Sequence, residues 1–234
     1  MTPLKILTLA LCSLATVAQA QVGTVFLTTH ELAPYSYLDE HDQRPRGIAV
    51  AVVECVLTRM EVPYRIKVTA WARAQKLVQD GVADGFFAGS RNAERDAFAV
   101  QSATIADQQW RWYLLADNPV DPSTTRFRKR ASVSSFIGAN MLDWLIDNDY
   151  RVASPPRDTE GLLKMLQAKR VDAILANNKV MDNLLQQQGL DNSIRSVLLQ
   201  DKPLGVYFSK TFLAKQPGFL DQFNSHVAAC RAQP

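Results

Sequence analysis

Two clusters of polar side chains each follow directly on an apolar stretch of strand length. Ser90, Arg91, Asn92 and Arg95 come after residues 84–88, and Asn177 and Asn178 come after residues 171–176. Ligands of open α/β sheets bind beyond the carboxyl ends of strands, so two such ends facing one another would form a polar cleft. Other chemistry finds little support in the residue types. His30, His41 and His226 are scattered, and neither they nor the cysteines show zinc-like spacing. No metal and no cofactor is therefore expected. One basic run, Arg126, Arg128, Lys129 and Arg130, is too short for the concentrated stripe that nucleic acid requires and reads as a solvated loop.

The elements that must carry these clusters alternate between a strand period and a helix period, the pattern of an α/β protein. Strands are predicted at 22–28, 64–69, 84–88, 110–116, 131–136, 171–176 and 204–209. Helices are predicted at 47–60, 71–79, 141–148, 159–169, 180–188 and 217–229, with Gly81 placed to stop the second and Asp158 to cap the fourth. One segment echoes another: residues 77–88 align with residues 165–176, with Gln79/Gln167, Asp84/Asp172 and Ala88/Ala176 identical. Each copy reads as helix, tight turn, aspartate and apolar strand, which points to two lobes built alike. A chain of 234 residues, 47% hydrophobic and 21% charged, has the composition of a globular protein with one large or two small domains. It is not that of a disordered or collagen-like chain.

Residues 1–20 read as a signal peptide rather than as part of the fold. Lys5 precedes an apolar run that ends at Ala18-Gln19-Ala20, the small-x-small pattern of a cleavage site. The run is shorter than the roughly 20 apolar residues a membrane span needs, so an exported chain starting at Gln21 is expected. Cleavage takes one of the 26 cations and none of the 23 anions, so the mature chain is close to neutral. It also removes Cys12, leaving Cys55 and Cys230 in an oxidising compartment. A disulfide and two buried thiols both remain open, because the Cα separation decides between them.

Taken in order, several short motifs resemble the family-3 periplasmic solute-binding proteins, the polar amino-acid receptors of ABC importers. They are Ala33-Pro34-Tyr35, Gly47, Trp71-Ala72-Arg73-Ala74, Ala83-Asp84-Gly85, Ser90 with Arg95, Gly138-Ala139-Asn140 and Arg170-Val171-Asp172-Ala173. The resemblance implies a two-lobed periplasmic binding protein-like fold of type II. Each lobe would be a βα-layered sheet, and two hinge crossovers would join them. Lobe 1 would comprise residues 21–105 and 201–234, and lobe 2 residues 106–200. It also implies a periplasmic monomer that binds a small-molecule ligand and hands it to an ABC permease. Position by position, Arg95 matches the arginine that clamps a ligand carboxylate, a task suited to a planar, permanently charged fork. Ser90 matches a residue that offers its hydroxyl and N–H to the same group, with Gly89 allowing close approach. Trp71 matches a pocket-wall contact or packs in the core. Glu31 and Tyr35 would edge the cleft, and Ala139 and Asn140 would present a helix N-terminus to ligand oxygens.

The departures from that family are equally informative. Asn177 stands where amino-acid-specific members carry an acid for the ligand's ammonium, so the ligand's amine is in question. Either Glu31 supplies the missing charge or the ligand lacks an amine. Ala49 and Ala51 replace an acidic pair in the first helix. A dehydratase-like enzyme on the same scaffold would need a cleft acid or base, for which Glu31 is the one candidate, so no catalytic residue is expected. A ligand-binding sensor uncoupled from transport is the other alternative.

Overall fold

The computed structural model describes residues 23–232; the predicted signal segment lies outside them. The first of two five-stranded sheets is built around β1 (Val25–Thr29), with β4 (Tyr64–Val68) parallel on one side and β5 (Gly85–Ser90) parallel on the other. β12 (Leu204–Ser209) runs antiparallel between β5 and β6 (Ala99–Gln101). The small pair β2 (Tyr37–Leu38) and β3 (Pro45–Arg46) lies apart from it. β1, β5 and β12 are buried along their whole length. This follows from their near-continuous apolar runs, which suit strands covered on both faces. The strand period divides the aromatics between those faces. Phe87, Val206 and Phe208 meet α1 (Ile48–Arg59) and α9 (Phe219–Arg231), while Phe86 and Tyr207 meet α2 (Trp71–Gln79) and the end of α3 (Ala93–Phe98).

In the second sheet the order is β11 (Ile194–Asp201), β7 (Gln109–Leu115), β10 (Ala173–Asn177), β8 (Ser132–Ser134) and β9 (Arg151–Val152). One face packs on α4 (Thr125–Arg130) and α5 (Asn140–Asp147) through Trp112, Phe127 and Leu145. The other packs on α6 (Thr159–Gln167) and α7 (Asn178–Gln188) through Tyr113, Leu162 and Met181. The two echoing aspartates do the same work in each sheet. Asp84 exchanges two hydrogen bonds with the backbone of Phe26, both 2.9 Å, and Asp172 does so with Ser132, both 2.8 Å. Each carboxylate thus anchors the turn before a central strand to the parallel strand beside it.

The chain passes between the sheets twice, after β6 and after β11, and the crossovers are hydrogen-bonded to each other. Leu204 N donates to Ala106 O, Ile105 N to Leu204 O and Lys202 N to Gln108 O, at 2.8–2.9 Å. The short helix α8 (Lys210–Lys215) follows β12. The helices α3, α4 and α8 are not predicted by the sequence pattern, because six residues cannot display a helical period, and neither are the strands β2, β3, β6, β9 and β11. α4 corrects the assignment of the basic run to a loop. Thr124 caps the helix by accepting from Phe127 N at 3.2 Å, Phe127 anchors it, and the four cations face solvent. Of the two alanines in the first helix, Ala49 is buried and Ala51 exposed, so burial accounts for the first alone.

Cys55 and Cys230 form a disulfide with their Cα atoms 5.8 Å apart, linking α1 to α9. It closes a loop across 175 positions and ties the first of the described helices to the last. Cross-linking so long a loop restricts the unfolded chain, which stabilises a domain by about 2–5 kcal/mol. The Cys55→Ser/Cys230→Ser double variant is therefore expected to lose about that much in urea unfolding. Unchanged stability would show that the bridge contributes nothing.

Candidate functional site

The carboxyl end of β5 is shaped by a bulge. Gly205 faces Gly89, but the next residue, Val206, faces Phe87, so Ala88 is the extra residue, with a left-handed φ of 60°. A bulge re-aims the strand beyond it, and here that turns Gly89 and Ser90 into a cleft of about 1200 Å³ between the two sheets. A side chain at Gly89 would place its Cβ 3.2 Å from the Trp71 ring. Glycine is what lets that indole, at the start of α2, lie against the strand.

One turn further on, Asn92 caps α3 by accepting from Glu94 N at 2.8 Å, which fixes where Arg95 projects. Arg95 is 5% exposed. Its Nη1 donates to Ser90 O (2.8 Å), Nε to Gln75 Oε1 (2.9 Å) and Nη2 to Asn140 Oδ1 (3.0 Å). All three acceptors are neutral. Among the described residues no carboxylate pairs with it: Asp96 is turned to Arg91 (3.2 Å) and Tyr207 Oη (3.2 Å). Burial lowers its pKa to about 10, so it stays a cation at neutral pH.

The facing wall comes from the second sheet. Gly138, at φ 77°, turns the chain into α5, whose N-cap, Ala139, offers no side-chain acceptor to the first N–H groups. Asn140 spans the cleft. Its Oδ1 accepts from Arg95 and from Asn92 Nδ2 (3.2 Å), and its Nδ2 donates to Ser90 Oγ (3.2 Å). Asn177 ends β10, is 7% exposed, and its Oδ1 is buried without a partner. Gln108, in the first crossover, is 4% exposed; its Nε2 donates to Lys202 O (3.1 Å) and its Oε1 has no partner.

Seven of the eight predicted site residues line this cleft: Glu31, Trp71, Ser90, Arg95, Ala139, Asn140 and Asn177. Glu31 sits at its exposed rim, accepting from Leu38 N at 3.1 Å. Tyr35 is the correction. It is fully buried and does not line the cleft; its hydroxyl donates to Asp107 O at 2.9 Å, with Asn178 Oδ1 at 3.4 Å. Tyr35 instead ties the loop after β1 to the first crossover and to the start of α7.

Gln75, Gln108 and His30 are among the lining residues that escape prediction. Gln75 and Gln108 are glutamines of no distinctive spacing. His30 carried one usable signal, its place directly after β1. Its ring lies 4.2 Å from that of Trp71, and its Nδ1 is buried and unpartnered. Burial, and secondarily the charge of Arg95, lower its pKa from 6.5 to about 3. Among the described residues no group of three His, Cys, Asp or Glu side chains could hold a metal ion.

Because His30 is neutral when folded and protonates near 6.5 when unfolded, its contribution to stability is complete above about pH 6.5. It is lost as pH falls from there towards 3. Melting temperatures measured from pH 7 to 4 are expected to fall more steeply for the native protein than for His30→Gln. Parallel curves would contradict the assigned burial.

No protein-family model matches the chain, and no curated protein matches it. Solved structures do. A histidine kinase sensor domain with similarity to periplasmic binding proteins aligns over 90% of this chain and 91% of its own, at 15% identity and a TM-score of 0.75. A substrate-binding protein of an ABC uptake transporter from Streptococcus pneumoniae, with bound histidine, aligns over 89% and 87%, at 12% identity and 0.73. The arginine-bound form of truncated ArgBP from T. maritima aligns over 88% and 95%, at 15% identity and 0.68. The chain therefore has the two-lobed α/β fold that these binding proteins share.

Proposed function

We propose that this chain is a periplasmic solute-binding protein that captures a small carboxylate-bearing solute between its lobes and delivers it to an ABC importer. The observation that carries this reading is Arg95, a buried cation at the cleft wall whose partners are all neutral. A buried charge is tolerated when it is paired and hydrogen-bonded. A ligand carboxylate would supply the missing charge, and the planar fork suits both of its oxygens. Walls drawn from two lobes, with hydrogen-bonded crossovers behind them, suit closure around a ligand. Export is supported by the signal pattern of residues 1–20, and the receptor is read as acting as a monomer.

Binding is favoured over catalysis by the state of the cleft's titratable groups. His30, with its pKa near 3, is too weak a base to take a proton at neutral pH. The carboxylates lining the cleft are exposed at its rim. A second reading, a sensor that binds the same kind of solute without feeding an importer, is favoured by the likeness to the histidine kinase sensor domain.

Titration calorimetry of the mature chain against a panel of small carboxylates tests the reading, with Arg95→Ala as the control. Arg95→Ala is expected to weaken any bound carboxylate by about 100-fold, the scale of a lost charge-assisted bidentate contact. Equal affinity in a folded variant would remove Arg95 as the clamp.

A further inference from the structure

Asn177 Oδ1, at the end of β10, and Gln108 Oε1, in the first crossover, are both buried, both without a partner, and both belong to residues that line the same cleft as Arg95. Gln108 cannot be turned around to hide its oxygen, because its Nε2 is held by Lys202 O at 3.1 Å. The oxygen is left as an acceptor. A carboxamide oxygen takes an N–H or O–H but brings no negative charge.

The charges around the cleft point the same way. Five carboxylates line it: Glu31, Glu94, Asp143, Asp158 and Glu160. All five are exposed to solvent, and none makes an ion pair or hydrogen bond with Arg95, Asn177 or Gln108. Two cations lie within or against its walls. Arg95 is buried in the wall, and Lys202 Nζ lies 4.7 Å from the ring of Trp110, which also lines the cleft. One anion neutralises Arg95. A ligand that also carried an ammonium would bury a second positive charge with only amide oxygens to meet it, and an uncompensated buried charge is strongly unfavourable.

We propose that the cleft prefers a monoanionic carboxylate whose adjacent group is an uncharged N–H or O–H donor, as in an N-acyl amino acid or a 2-hydroxy acid, over a zwitterionic α-amino acid. The carboxylate meets Arg95 and the donor is read by Gln108 and Asn177. This rests on the carboxylate-capture reading above and narrows it.

The test uses matched ligand sets that share a side chain. One set is leucine, N-acetylleucine, 2-hydroxy-4-methylpentanoate and 4-methylpentanoate; parallel sets carry the side chains of alanine, phenylalanine and glutamine. In calorimetry, within the best-binding set, the N-acetyl or the hydroxy acid is expected to bind about tenfold or more tighter than both the amino acid and the donorless acid. Asn177→Ala and Gln108→Ala should each remove most of that advantage and leave the donorless acid unaffected. The isosteric Asn177→Asp should shift preference towards the amino acid. Tightest binding of the amino acid, or equal binding across a set, overturns this inference. If Arg95→Ala still abolishes that binding, carboxylate capture stands. Failure of every set to bind overturns both.

Discussion

A guanidinium enclosed by protein needs hydrogen bonds and a counter-charge, and at Arg95 the chain supplies three acceptors for its five N–H groups and no anion. Gln75, the Ser90 carbonyl and Asn140 take its N–H groups, yet none is an anion. The neighbouring acid, Asp96, is held away by Arg91 and Tyr207. Such an arrangement is unfavourable for stability alone. It becomes intelligible when the counter-charge arrives with a ligand. Asn140 has a part in this balance, because its carboxamide reaches Arg95 from the opposite lobe and would couple the proposed clamp to lobe approach.

Much of the remaining structure serves to hold that cation in place. The aspartates 84 and 172 set the turns that launch β5 and β10, the strands whose ends meet in the cleft. The bulge at Ala88 then aims Ser90, and the Asn92 cap aims Arg95. Tyr35 and the paired crossovers fix the rear of the cleft. The disulfide closes the first lobe at its far helices. Positioning groups of this kind are what keep a binding site rigid enough to discriminate.

The fold class, most buried strands and the polar strand ends were legible in the sequence because they depend on local periodicity and on residues next to one another. The positions of Ser90 and Arg95 just beyond a strand, and the repeated aspartate, are legible in that way. Tyr35 was misplaced because whether a side chain after a strand faces a cleft or a crossover depends on contacts with Asp107 and Asn178, far away in the chain. Gln108 and His30 were overlooked because their significance lies in buried atoms left without partners, a property that only packing creates. Pairing of Cys55 with Cys230 likewise required the distance between two helices from opposite ends of the chain. The neutral Asn177 is visible in the sequence, but its meaning depends on the cleft carboxylates being exposed to solvent.

At the centre of this account is a buried positive charge completed by the ligand's negative one. Comparing a bound carboxylate with its own primary amide by calorimetry isolates that charge, because the two differ little in shape. The amide is expected to bind about 100-fold or more weakly, since it can accept hydrogen bonds from Arg95 but cannot neutralise it. Equal affinities would contradict that role for the charge.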